Sequence, residues 1–378
     1  MPTYLHRLAT ATPRYTHSTE DTRDTLKSWA PDARTARLIH AVFNRSGIAQ
    51  RHSVLPDFDP ESEPRLYRPE GADQRRQPHT GARNAIYAEE ASSLALTAAE
   101  QLFHDPEAPF QPAEITHLIF ASCTGFTNPG PDLHLIDQLG LRTEVERYTL
   151  GFMGCYAAFP ALRMAAQFAQ ADPHAVVLVV CLELSTLHLQ LTDRPDDILG
   201  SSLFADGAAA ALVSARTPHL GHPCFALRGF ASRLLPATSS DMAWTIGHSG
   251  FNLVLSSYVP DAIATHLGEL LQDILEDHGL DLTSIEHWAV HPGGRAILDR
   301  VSTSLQLSET ALTASREVLK NYGNMSSPTV LFVLQRLLEN PAVTKNEAPI
   351  VALAFGPGLT LETALLQPLS APSTPVAS

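Results

Sequence analysis

The chain has 378 residues, 44% hydrophobic and 17% charged, a balance that suits a large buried core and excludes a disordered or fibrous protein. Its net charge of −14 argues against a general nucleic-acid binder, and any anionic ligand would need a local basic patch. Four scattered cysteines, Cys123, Cys155, Cys181 and Cys224, make neither a disulfide framework nor a zinc spacing. With no apolar h-region in MPTYLHRLATATPRY and no apolar run of membrane length, the sequence reads as a soluble, cytoplasmic protein of a reducing compartment.

A short strand-like start precedes a mixed helical stretch around Thr22 to Phe43. Pro56 to Gly81 is rich in proline and charge and reads as surface loop, with Arg65, Arg68, Arg75 and Arg76 as solvated charges. Asn84 to His104 has helical periodicity, with Ala91, Leu94, Leu96, Ala98 and Leu102 on one apolar face. Ile115 to Ala121 reads as a buried strand, and Pro129 to Gly140 as a short helix. Val145 to Leu150 is a strand-like approach to a turn with two glycines, GFMGC, after which Ala157 to Ala171 is small, apolar and helical. Ala175 to Leu182 is continuously apolar, as a strand covered on both faces must be. Leu184 to Leu199 reads as a polar connection, and Phe204 to Val213 as a turn entering a small-residue strand. Alternating strands and helices make an α/β layered fold.

From about Phe225 the pattern restarts. Ile285 to Val290 echoes Ile115 to Phe120, and NYGNMSSP opens an apolar helix, Thr329 to Leu338, as the Cys155 turn opens its own. Ile115 to Cys155 spans 40 positions and Ile285 to Asn324 spans 39. Such self-similarity predicts two duplicated halves, 1–224 and 225–378, whose helix-opening turns face each other. Two unrelated α/β domains would also alternate elements. Gln367 to Ser378, rich in proline, serine and alanine, reads as a disordered tail.

If the turns do meet, three residues converge. Cys155 opens the first central helix, where unpaired N–H groups and the helix dipole favour a thiolate. His291 follows the second half's strand and offers a base or a cation. Asn324 opens the second central helix, and its amide N–H groups can hold an oxyanion with His291. Singly, each has an ordinary explanation: a buried cysteine, one of 17 histidines, a helix cap.

Five segments in order, GFMGCYAAF, SLFADGAAAALV, AVHPGGRAIL, SREVLKNYGNMSS and AFGPGLTLET, resemble the type III polyketide synthases of the chalcone and stilbene synthase superfamily. The resemblance implies a thiolase-like αβαβα fold of two duplicated halves. It implies that Cys155 accepts an acyl group from acyl-CoA, and that His291 and Asn324 support decarboxylation of malonyl-CoA. The resulting enolate extends the thioester, and the product cyclises to a pyrone or resorcinol. It implies a homodimer acting on CoA thioesters as substrates, without metal, carrier protein or further cofactor, while charge and hydropathy give the expectation of no nucleic-acid partner and no membrane insertion. Phe204 matches the aromatic residue flanking malonyl entry, and Leu253 aligns with the second gatekeeper phenylalanine. Cys123 stands where plant enzymes have threonine, and His188 falls at a position shaping the cyclisation pocket. Ser326 and Gly358 match further substrate-binding positions. Arg45, then Arg51, are the candidates for the CoA phosphates.

The sequence looks closer to bacterial alkylpyrone and alkylresorcinol synthases than to chalcone synthases. The expectation is that Cys123 and Leu253 leave room for a long aliphatic starter. The plainer alternative is that they are neutral packing swaps. Rival readings are an initiating ketoacyl synthase condensing once on acyl-carrier protein, a Cys-His-Asn peptidase, a thiolase, and a non-catalytic scaffold of the same fold. The peptidase lacks any local signature here. The thiolase lacks a second cysteine beyond Cys224.

Overall fold

The computed structural model describes residues 1–69, 77–105, 108–218, 222–235, 242–256 and 259–370. Among the described residues thirteen strands occur in chain order: β1 (Thr3–Ala11), β2 (Tyr15–Ser18), β3 (Gln50–Ser53), β4 (His117–Ser122), β5 (Glu146–Gly151), β6 (Val176–Leu184), β7 (Asp206–Ser214), β8 (Cys224–Leu234), β9 (Met242–Gly247), β10 (Gly250–Leu255), β11 (His287–Val290), β12 (Ile350–Gly356) and β13 (Thr360–Leu369).

Nine of these hydrogen-bond in the order β11-β12-β13-β8-β1-β7-β6-β4-β5. The repeat predicted from sequence is visible in that order. In one half β4 runs parallel to β6, β6 antiparallel to β7, and β7 antiparallel to β1. In the other, β11 runs parallel to β12, β12 antiparallel to β13, and β13 antiparallel to β8. The halves meet where Thr3–Leu5 pairs with Phe225–Leu227. β5 has no counterpart and forms an open edge.

Helices fill three layers around these strands. Thr80–Glu100 covers the outer face of the first half. Val259–Glu276 covers that of the second. Between the halves, Ala158–Ala171 and Thr329–Leu338 share one core with residues from both, including Ile119, Val179, Ala289 and Ala352. The alanines of Ala158–Ala171 and of β7 let helix and strand approach closely, and β6 and β7 are buried along their whole length. The arrangement is a thiolase-like αβαβα stack.

Several boundaries differ from the sequence expectation. The first helical stretch is two helices, Thr19–Ser28 and Ala33–Arg45, capped by Ser18 and Asp32 side chains. The segment read as a polar connection holds a 3₁₀ turn, Ser185–His188, and a helix, Pro195–Leu203. Pro195 sits at the first helical position with Asp196 and Asp197 in the first turn, a start signal that the charged context obscured. β13 runs to Leu369, because its partner β8 pairs back as far as Cys224, so Gln367 to Leu369 is strand and not tail. Arg65 is ion-paired with Glu89 and Glu90, not simply solvated. Arg75, Arg76 and the tail beyond Ser370 lie outside the described residues.

Candidate active site

The turn that carries Cys155 leaves β5 and is tight for a reason. Phe152 and Gly154 both have positive φ, 56° and 76°. A Cβ on Gly154 would lie 2.4 Å from Pro357 Cδ. The turn of the first half is therefore packed directly on the glycine turn that joins β12 and β13. Cys155 follows in a single 3₁₀ turn ahead of the helix Ala158–Ala171.

The second turn is tied across the halves by backbone. Asn324 N–H donates to Leu203 O (2.9 Å), and Ala205 N–H donates to Asn324 O (2.9 Å). Gly323, at φ 72°, lets the chain make that approach, since a Cβ there would lie 3.2 Å from Leu203 O. The Asn324 side chain is oriented by its neighbours. Its Oδ1 accepts the Ser326 N–H (2.8 Å) and its Nδ2 donates to Gly293 O (3.2 Å), leaving the second amide N–H for the cavity. His291, at the end of β11, is held by its backbone N–H on Leu353 O (2.7 Å). Both its ring nitrogens are buried and have no hydrogen-bond partner among the described residues.

Cys155, His291 and Asn324 line one cavity of about 370 Å³, together with Phe204, Leu253 and Arg45. Its walls are apolar, with Val42, Leu199, Leu203, Leu255 and Val259 among them. Deeper in, a lobe of about 40 Å³ is lined by Cys155, Cys123, Ser326, Phe204, Leu253 and Trp244.

The protonation states differ from the sequence expectation of a ready thiolate. Burial pushes the Cys155 thiol up to about 11, only partly offset by hydrogen bonds from Ser326 and Asn324. Burial pushes His291 down to about 3. Desolvation thus opposes either charge alone. His291 is the imidazole that shares the cavity with Cys155, which makes it the candidate acceptor for the thiol proton, in a transfer that would leave the site neutral overall. Neutral His291 and the Asn324 N–H that faces Cys155 are also two uncharged donors available to a developing oxyanion.

Glu183, at the end of β6, escaped the sequence analysis. It is completely buried, and its carboxylate gathers donors from both halves. Oε2 accepts from Cys123 N–H (2.9 Å) and Thr124 Oγ1 (2.8 Å), and Oε1 from Ser327 Oγ (2.7 Å) and Cys123 Sγ (3.3 Å). Burial raises it to about 7, and those hydrogen bonds pull it down. It clamps the strand end that carries Cys123 to the turn that carries Asn324. A lone carboxylate in AVVLVVCLEL was the available signal.

The remaining expected residues divide. Phe204, Leu253, Cys123 and Ser326 line the cavity or its deep lobe. His188 is buried behind the lobe, stacked on Phe251 at 4.0 Å between ring centroids. Gly358, at φ 75°, shapes the β12–β13 turn, and it is Pro357 that reaches the lobe. Arg45 lies at the cavity's outer end with no hydrogen-bond or ion-pair partner among the described residues, and Arg295 lies there too. Arg51 is a correction. Its guanidinium is buried and spent on the carbonyls of Ser201, Ser202 and Phe204, so it holds the end of the helix Pro195–Leu203 and has no face for a phosphate. Among the described residues no group of three or more His, Cys, Asp or Glu side chains is placed to hold a metal, and no helix is long and apolar enough to cross a membrane.

Comparison with known proteins agrees with this geometry. Residues 8–217 match the N-terminal domain of chalcone and stilbene synthases, and residues 227–370 match the C-terminal domain. The chain is 32% identical over 360 residues, 95% of its length and 89% of the relative's, to the alpha-pyrone synthesis polyketide synthase-like Pks18 of Mycobacterium tuberculosis. PKS-I of the brown alga Ectocarpus siliculosus superposes with a TM-score of 0.89 at 29% identity, covering 97% of this chain and 98% of that one. The 1,3,6,8-tetrahydroxynaphthalene synthase of Streptomyces coelicolor, a bacterial type III polyketide synthase, superposes with a TM-score of 0.85 at 29% identity over 97% and 100% of the two chains. With both family domains matched in order and the three reactive residues gathered in one cavity, the chain belongs to the chalcone and stilbene synthase family of type III polyketide synthases, which are condensing enzymes.

Proposed function

We propose that the protein is a decarboxylating acyltransferase that condenses an aliphatic acyl-CoA with malonyl-CoA and releases a pyrone or resorcinol. The observation that carries this is the convergence of Cys155, His291 and Asn324 on one apolar cavity. In the first step the Cys155 thiolate attacks the acyl-CoA carbonyl. The thioester C–S bond breaks, and CoA leaves with the proton that His291 held. Malonyl-CoA then enters the same channel, with its thioester carbonyl oxygen against His291 and the free Asn324 N–H. Loss of CO₂ leaves its electron pair as an enolate on that oxygen, where two neutral donors stabilise it without requiring a buried cation. The enolate carbon attacks the acyl thioester, Cys155 departs, and a β-ketoacyl-CoA is formed. The similarity to an alpha-pyrone synthesis enzyme supports lactone closure of the extended chain.

The reading includes a homodimer and a cytosolic location. The open edge of β5 alternates exposed and half-buried residues, and Phe126 and Leu133 lie exposed nearby, at 49% and 43%. An unpaired edge beside exposed apolar side chains supports pairing with a second copy. Mass spectrometry of products from malonyl-CoA with acetyl-, hexanoyl- and palmitoyl-CoA tests the activity, with Cys155→Ala as control. Ring products that vanish in the control are expected. Condensation that runs only on acyl-carrier protein would replace this reading with the single-condensation one.

A further inference from the structure

Trp244 lines both the lobe of about 40 Å³ beside Cys155 and a separate cavity of about 30 Å³ behind it. Its indole is fixed on several sides. Nε1–H donates to Cys123 O (3.0 Å). The ring meets Phe251 edge-on at 5.7 Å and His188 edge-on at 5.8 Å between centroids, and Phe204 at 6.3 Å. Leu253 stands directly opposite it in the β9–β10 ladder, so the two side chains share one face of the hairpin. His188 cannot swing away, because Nε2 donates to Thr124 O (2.7 Å) while Nδ1 accepts the Phe251 N–H (3.2 Å).

During loading the pantetheine arm of an acyl-CoA fills the channel that leads to Cys155. The acyl group must then lie on the other side of the sulfur, in the lobe that Trp244 closes. A water occupies roughly 10–15 Å³ on this measure, so 40 Å³ holds about three or four water-sized groups. That is the size of a short acyl group. The room that Cys123 and Leu253 were expected to give a long chain is taken by the indole.

We propose that Trp244, buttressed by His188 and Phe251, is the end wall of the acyl site and restricts the enzyme to short aliphatic acyl-CoA starters, acetyl to butyryl in size. This rests on the polyketide synthase reading above and adds the starter class to it.

The test separates loading from condensation. Acylation of Cys155 is followed by intact-protein mass spectrometry with acetyl-, butyryl-, lauroyl- and palmitoyl-CoA alone, then products are measured with malonyl-CoA present. The natural enzyme is expected to load acetyl- or butyryl-CoA at least tenfold faster than lauroyl- or palmitoyl-CoA. Discrimination of about 10–200-fold per unfitted methylene makes tenfold a modest demand. Trp244→Ala joins the two cavities and is expected to move the preference toward lauroyl-CoA by tenfold or more, whereas Trp244→Phe moves it less. Thermal unfolding and circular dichroism show that each variant is folded. Palmitoyl-CoA loaded as fast as acetyl-CoA, or an unchanged chain-length preference in folded Trp244→Ala, overturns the proposal. Short-chain loading without any condensation product would sink the synthase reading and leave the wall standing.

Discussion

Replacing His291 by glutamine keeps a hydrogen-bonding side chain of similar polarity but removes the proton acceptor. In the folded site, burial carries the Cys155 thiol from 9.0 to about 11. Two units correspond to about 2.7 kcal/mol against the thiolate. Without a base, pH 7 then lies about four units below that value, and only roughly one molecule in 10⁴ carries a thiolate. With His291 as the proposed acceptor the proton stays inside the shared cavity and no net charge is buried. Alkylation of Cys155 by iodoacetamide, followed by mass spectrometry from pH 6 to pH 10, reads that difference directly. His291→Gln is expected to react at least tenfold more slowly at pH 7, with a rate that climbs about tenfold per pH unit to the top of the range. The natural enzyme should level off at lower pH. Identical pH profiles for the two proteins would refute the assignment of His291 as the proton acceptor.

Three further outcomes are expected. Arg45→Ala should raise KM for acyl-CoA about fivefold, as loss of roughly 1 kcal/mol from an exposed charge pair implies, and leave alkylation of Cys155 unchanged; an unaltered concentration dependence would remove Arg45 from the CoA site. Glu183 is raised from 4.5 to about 7 in the fold, so the folded state holds a proton that the unfolded chain releases. Its contribution to stability is complete below pH 4.5 and is lost as pH rises through 7, and Glu183→Gln should flatten that part of the pH dependence of Tm. A variant whose Tm falls as steeply over this window as the natural protein's would contradict the shift. Gly154→Ala forces a side chain into positive φ and against Pro357. It should cost at least about 1–2 kcal/mol from the backbone alone and lower kcat, and calorimetry showing no loss of Tm would refute the close packing.

Much of this arrangement was legible in the chain itself. Cys155, His291 and Asn324 could be paired because the duplicated spacing places them at equivalent turns, and strand order in the two halves follows the same repeat. Arg51 was misread for a simple reason. A motif position specifies a cation near the nucleotide end of the site, but not whether its side chain faces outward or, as in buried β3, inward on carbonyl groups. Trp244 was missed although its partner Leu253 was singled out. The β9–β10 pairing that sets them side by side follows from hairpin register, and a two-stranded hairpin with exposed positions gives little periodic signal. Glu183 was hidden by the strand around it, whose apolar run says only that the segment is buried.

The bridge between Phe204 and Asn324 has a bearing on how such an enzyme can change over time. The cavity wall at Phe204 and the turn that carries Asn324 are consecutive links of one hydrogen-bonded backbone, so neither can be displaced without the other. The volume open to substrate can therefore drift by exchanging side chains, at Phe204 on this frame or at Trp244 on the separate β9–β10 hairpin, while the Asn324 turn stays in place. Insertions or deletions between Leu203 and Ala205, or around Gly323, have no such freedom. Diversification of product size without loss of chemistry is built into the way the two halves are stitched together.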